Sequence, residues 1–203
     1  MKIRLSAILF IVTLFGCLND HLIRPEQGIA GFHPGTRYFP NDIGNVWRYE
    51  VIDSTRLRKD YVTVRVTGTT SVQNLEAKIW TYQYPYKTDT SYVVATDTSV
   101  IVFNSDRYST AMTYVLPLQS GRTWKGAWIF DDYVIGKSDS VALSNGQKRW
   151  GYNIKETGTS PNYLRTRNEW FVPYYGTALL HRYEYNNGPA DHKYWQLVAC
   201  DLK

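Results

Sequence analysis

The clearest alternation of apolar and polar positions falls on Tyr61–Thr67. There Val62, Val64 and Val66 alternate with Thr63, Arg65 and Thr67. A period of two puts the valines on one face of an extended strand and the polar residues on the other, as a half-buried strand requires. Similar β-rich runs cover Val46–Val51, Ala77–Tyr84, Ser91–Thr96, Ser99–Phe103 and Ala111–Leu116. The second half continues with Ala127–Phe130, Tyr133–Gly136, Ser138–Leu143, Arg149–Lys155, Leu164–Val172, Thr177–Tyr185 and Lys193–Leu202. Turn chemistry separates the runs. Ser144-Asn145-Gly146-Gln147 holds the Asn-Gly pair of a tight type I′ hairpin, while Thr157–Pro161 and Asn186–Pro189 read as longer connections. Beyond the first residues no segment sustains an apolar helical face over about twelve residues, so crossover helices for a parallel sheet are missing. The pattern predicts an all-β, antiparallel domain: a curved sheet, half-barrel, barrel or sandwich.

The first residues follow a different pattern. Lys2 and Arg4 precede an unbroken apolar run, Leu5–Leu14. That is the length of a secretory core and short of the roughly 20 residues a membrane span needs. The run ends in Leu14-Phe15-Gly16-Cys17, with a small residue directly before a cysteine. This is the form of a bacterial lipobox. It predicts a cleaved signal helix over residues 1–16 and a lipidated Cys17 carrying acyl chains of the palmitate type. Two or more such chains hold a protein stably on a membrane, at about 0.8 kcal/mol per buried methylene. Residues 17–37 are rich in Pro, Gly and polar side chains without an apolar period, so they read as the lipidated cysteine and a tether. Residues 38–203 form the single β domain.

Charge and composition narrow the functional classes. The net charge of +5 falls to +3 once Lys2 and Arg4 leave with the leader, and the remaining cations are scattered. Nucleic acid is therefore not an expected partner. Of the two cysteines, Cys17 is committed to lipid, which leaves Cys200 as a small apolar residue on the last strand and no intramolecular disulfide. His21, His33, His181 and His192 show no ligand spacing, and Asp131, Asp132 and Asp139 lack a calcium-loop pattern, so no metal and no cofactor are expected. No nucleophile elbow or phosphate loop occurs. Glu50, Glu169 and Glu184 lie beside aromatics and are the carboxylates a glycosidase would use, yet no catalytic residue is assigned and the chain is not expected to be an enzyme. The best binding candidate is aromatic. Trp80, Tyr82 and Tyr84 project from one face at period two, as do Trp150 with Tyr152 and Tyr183 with Tyr185. Such faces are either core or a platform for a lipid chain or a sugar ring; core is expected for most of the first set.

Two stretches carry a resemblance. Tyr38-Phe39-Pro40, followed by Gly44-Asn45-Val46-Trp47-Arg48-Tyr49, resembles the opening of an uncharacterised Bacteroidetes outer-membrane lipoprotein family. Glu169–Arg182 looks like its late element, in which an aromatic strand passes through Pro-Gly-x-Gly; here Tyr174 stands where that element has Gly. The resemblance implies a β-rich envelope protein, similar in some relatives to the curved fold of lipoprotein carriers, and supplies no catalytic residues. Gly44 and Gly176 are expected at positive φ, Pro40 and Pro173 as stops, and Trp47, Tyr49 and Trp170 as the rings that close the sheet ends. The expected function is a lipid-anchored lipoprotein of the cell envelope, on the outer membrane at its periplasmic face or the cell surface, with a non-enzymatic binding or accessory role toward an apolar ligand. A structural subunit of an outer-membrane protein complex and a carbohydrate-binding or carbohydrate-active protein are the alternatives.

Overall fold

The valines of the Tyr61–Thr67 run need a second apolar surface to cover them, and the chain supplies it by folding its own sheet around on itself. The computed structural model describes residues 38–126, 131–143 and 146–203. The leader, Cys17, the tether, the Ala127–Phe130 run and Ser144-Asn145 of the Asn-Gly turn lie outside the described residues.

Twelve strands follow in chain order: β1 (Val46–Asp53), β2 (Arg58–Val72), β3 (Leu75–Gln83), β4 (Thr88–Ala95), β5 (Ser99–Phe103) and β6 (Thr110–Val115), then β7 (Thr123–Lys125), β8 (Asp131–Ala142), β9 (Lys148–Ser160), β10 (Tyr163–Val172), β11 (Gly176–Asn186) and β12 (Asp191–Asp201). They make one sheet in the order β6-β5-β4-β3-β2-β1-β12-β11-β10-β9-β8-β7, rolled into a nearly closed barrel, and no helix occurs among the described residues. Every paired neighbour is antiparallel. Two six-stranded meanders are thus joined by one long-range pair, β1 with β12. At the open seam the Trp124 indole N–H donates to the Thr113 carbonyl at 2.9 Å, so a side chain links β7 to β6.

Three details depart from the sequence expectation. Tyr133–Gly136 and Ser138–Leu143 belong to one strand, β8, interrupted by an irregular register between Ile135 and Ser138. Thr157–Ser160 continues β9 instead of forming a connection, and the turn shrinks to Pro161-Asn162. The three-residue β7 was not foreseen, since a run that short carries no period.

Directly paired residues share a sheet face, and ring contacts across the barrel identify the inner one. Val64 pairs with Trp47 and with Tyr82, and Val66 pairs with Trp80. Trp47 and Trp80 stack at 4.8 Å inside. Phe39, from the segment before β1, fills the same end. Its ring lies 5.7 Å from Trp80, 5.5 Å from Tyr114 and 5.6 Å from Phe171. Phe39 therefore joins β3, β6 and β10 through one buried side chain, and truncating such a ring costs about 3–5 kcal/mol.

The two stretches that carry the family resemblance meet here. The Tyr38 carbonyl accepts the Tyr174 N–H at 2.9 Å. The Trp47 indole N–H donates to the Tyr175 carbonyl at 2.7 Å, and the Tyr49 hydroxyl to the Thr177 carbonyl at 3.0 Å. Gly44 and Gly176 have φ of +95° and +89°, as expected. Tyr174 takes φ of +69°, so it occupies the left-handed conformation that the resemblance assigns to a glycine. Its ring sits edge-on to Tyr38 at 5.9 Å, a contact a glycine does not make.

Candidate functional site

The barrel interior changes character along its axis. At the Phe39 end it is apolar; toward the β1 end at Asp53 the inward positions of β9 to β12 become charged. The β10–β11 register pairs Arg167 with Arg182 and Arg165 with Glu184, and β9 adds Glu156 opposite Arg167. Glu169 is fully buried between the two zones. Its carboxylate accepts from the Tyr114 hydroxyl at 3.1 Å, from Arg167 Nη2 at 3.0 Å and from the Thr177 hydroxyl. Burial by itself would lower the Arg167 pKa, but Glu169, Tyr114 and Glu156 together outweigh it and hold the guanidinium charged. Burial, then the Glu169 charge, pushes the Tyr114 hydroxyl well above its ordinary range. Glu156 is also buried and pairs with Arg165. Buried charges persist where each has a counter-charge, and here Arg167 pairs with Glu169 and Arg165 with Glu156.

Trp80, Tyr82 and Tyr84 all pack against the inner cluster built on Trp47, Val64 and Val66, and all three are half-buried. Trp80 is held on both sides, by Trp47 and Phe39, and its indole N–H donates to Asn41 Oδ1 at 2.7 Å. Tyr82 accepts from the Ser91 hydroxyl at 3.4 Å, and burial raises its pKa. Tyr84 lies just beyond β3, edge-on to Trp195 at 6.1 Å and 5.8 Å from the exposed Tyr86. Trp80 thus packs on Trp47 and Phe39, and Tyr84 on Trp195. Trp150 and Tyr152 divide: Tyr152 is buried in the inner core and Trp150 is half-buried. Cys200 is half-buried on β12 and packs against apolar neighbours.

The three candidate carboxylates do not converge. Glu169 and Glu184 belong to the inner face, whereas Glu50 pairs with Gln196 and Tyr61 on the outer one and binds Lys59 Nζ at 2.7 Å. Among the described residues no three His, Cys, Asp or Glu side chains cluster as a metal site.

The outer face carries the better-formed site. A groove of about 330 Å³ crosses β10, β11, β12 and β1. Trp170, Tyr194 and Trp195 are its large aromatic residues; its polar groups are Glu50, Asn168, His181 and Gln196. The same two-residue period that points Glu169 and Phe171 inward near the turn turns Asn168 and Trp170 out, and the β10–β11 register sets Asn168 beside His181. Trp170 rests against the Val172–Ala178 apolar cluster, with Lys137 Nζ 5.5 Å from its ring centre. Tyr194 is 42% exposed and stacks on the His181 imidazole at 4.3 Å, with ring planes 4° apart. A second outer groove of about 550 Å³, with Arg48, Tyr61, Thr63 and Arg65 among its walls, lies along the Val46 end of β1. Tyr61, whose hydroxyl donates to Glu50 Oε2 at 3.4 Å, stands between the two. Together they form a polar, ring-studded track along β1.

Sequence reasoning missed this track because its rings, Trp170, Tyr194 and Tyr61, come from three strands, and no single run contains them. It also missed the histidines. His181 and His192 are eleven residues apart in the chain, but the β11–β12 register brings their Nε2 atoms to 2.6 Å.

The molecule thus belongs to the antiparallel β-barrels with a paired-charge interior and an external groove. It is similar in backbone to a presumed exported protein with a YmcC-like fold from Bacteroides fragilis, at 12% identity and a TM-score of 0.48, over 81% of this chain and 98% of that one. A presumed lipoprotein from Parabacteroides distasonis aligns at 13% identity and a TM-score of 0.43, over the same shares. No protein-family model matches the chain, and no curated protein does.

Proposed function

We propose that this chain is a lipid-anchored protein of the cell envelope that binds a saccharide along the outer track of its barrel without chemically changing it. The observation that carries the reading is the groove itself: Trp170 and Tyr194 rings beside the amides of Asn168 and Gln196 and the carboxylate of Glu50. A sugar offers an apolar C–H face to such rings and hydroxyls to such amides and carboxylates. The second groove past Tyr61 continues the surface and suits a chain of several sugar units over a single ring. An apolar cargo inside the barrel has less support, since Phe39, Trp47 and Trp80 fill the apolar end. The non-enzymatic part of the reading is supported by Glu50 facing away from Glu169 and Glu184. Anchorage rests on Leu14-Phe15-Gly16-Cys17, and outer-membrane placement is part of the same proposal.

Titration of neutral, amino-sugar and acidic oligosaccharides, followed by calorimetry and tryptophan fluorescence, tests the binding. One class should bind, and Trp170→Ala and Gln196→Ala should each weaken it at least about tenfold, a loss of about 1.4 kcal/mol. Failure of every class, or binding that ignores both substitutions, overturns the reading. Cys17→Ser should release the domain from membranes; retention after a high-salt wash overturns the anchor.

A further inference from the structure

We infer that His181 and His192 form a site for a divalent transition-metal ion of the Zn²⁺, Ni²⁺ and Cu²⁺ class at the lip of the outer groove. The two Nε2 atoms face each other at 2.6 Å, and the ring centres are 4.8 Å apart. At that distance one imidazole donates and the other accepts, so the neutral pair shares one proton between two nitrogens. Imidazole nitrogen is a preferred ligand of all three ions. Ligand distances of about 2.0–2.1 Å put two nitrogens of a tetrahedral zinc roughly 3.3 Å apart. Opening the pair by under about 1 Å therefore admits the ion where the proton now lies. The donor ring keeps its proton by moving it from Nε2 to Nδ1, so the neutral pair binds without net loss of a proton.

The surroundings hold both rings ready for this. Tyr194 stacks on His181, and Tyr183 meets His192 edge-on at 5.7 Å. The His192 N–H donates to the Thr55 hydroxyl at 3.1 Å, which fixes that part of β12. Ligands fixed in place before binding lose little freedom on it. Burial, then the neighbouring His192, lowers the His181 pKa and favours the uncharged form that a metal requires. His181 also lines the groove, so the coordination positions the two histidines leave open face water or an oxygen ligand seated there. The ion needs no saccharide to bind.

The test is Cu²⁺ titration of the full chain and of His181→Gln and His192→Gln, read by electron paramagnetic resonance and by unfolding midpoint. The unmodified protein should show coupling to two imidazole nitrogens and a midpoint that rises with Cu²⁺ or Zn²⁺. Each substitution should weaken binding at least tenfold while the midpoint in chelator stays near that of the unmodified protein. His21 and His33 remain in every variant and set a common background. Unchanged affinity in either variant, or a Cu²⁺ signal without two-nitrogen coupling, overturns the site. A variant that does not fold is replaced by Ni²⁺ titration of the unmodified chain. There the imidazole signals of His181 and His192 should broaden before those of His21 and His33, and the reverse order overturns the site.

Discussion

Glu169→Gln is the most decisive test of how the barrel interior is held. The substitution keeps the shape of the side chain and removes its charge. Glu169 has no exposed surface, and three donors converge on it: the Tyr114 hydroxyl, Arg167 Nη2 and the Thr177 hydroxyl. Gln can still accept from the two hydroxyls through its carbonyl oxygen. It cannot neutralise Arg167, whose side chain is 19% exposed and pays a desolvation penalty without a counter-charge. Breaking a buried ion pair from one side costs about 3–5 kcal/mol. Glu156 also stabilises the Arg167 charge, which places the expected loss near the lower limit, about 3 kcal/mol. For a domain of this size that lowers the melting midpoint by roughly 6–12 °C. Urea unfolding at neutral pH, with a thermal melt as check, measures it on the Cys17→Ser chain. Removing both partners, Glu169→Leu with Arg167→Met, should cost less than the two single changes added together, because no charge is stranded. A single-variant loss below about 1 kcal/mol, the scale of an exposed pair, refutes the reasoning. So does a double variant that costs the full sum or more.

Two further outcomes follow from the same structure. Trp80→Ala should lose about 3–5 kcal/mol as a core ring, and Tyr84→Ala clearly less because it lies past the strand end beside exposed Tyr86; equal losses in urea melts would contradict the packing. Stability should fall as pH drops below about 6.5, the ordinary histidine value, because the folded His181 resists the proton that the unfolded chain accepts. His192, Tyr183 and Tyr194 face it, and His181→Gln should flatten that slope relative to the unmodified chain.

Most strands were legible because one face of each carries apolar residues at period two. Val62–Val64–Val66 is the plainest case, and all three are buried. Closure was not legible, because it depends on β1 finding β12 across nearly the whole domain, and no local pattern encodes that pairing. Nor was the direction of the polar positions on β10. Arg165, Arg167 and Glu169 alternate like a solvent face, yet they point inward, where Arg167 pairs with Glu169 and Arg165 with Glu156 of β9. Alternation specifies two faces but does not say which is inside when both hold polar residues. Tyr174 shows the same limit on a smaller scale: its φ of +69° belongs to the turn, while its side chain gives no sign of it. The His181–His192 contact and the Trp170 groove exist only through register between strands, so they became visible only with the fold.

The β1–β12 pairing also sets the order in which this barrel can be finished. Every other strand pair joins segments adjacent in the chain, so each meander can zip up locally as its hairpins emerge. β1 is the exception. Its hydrogen-bonding edge stays bare until the last strand arrives, since β12 begins at Asp191. Until then an extended strand holding Trp47, Tyr49 and Val51 is a template for pairing with another chain. A chain cut before Asp191 would keep that edge permanently, and a free β11 edge with it. Arrival of β12 is thus the step that joins two aggregation-prone half-sheets into one continuous wall.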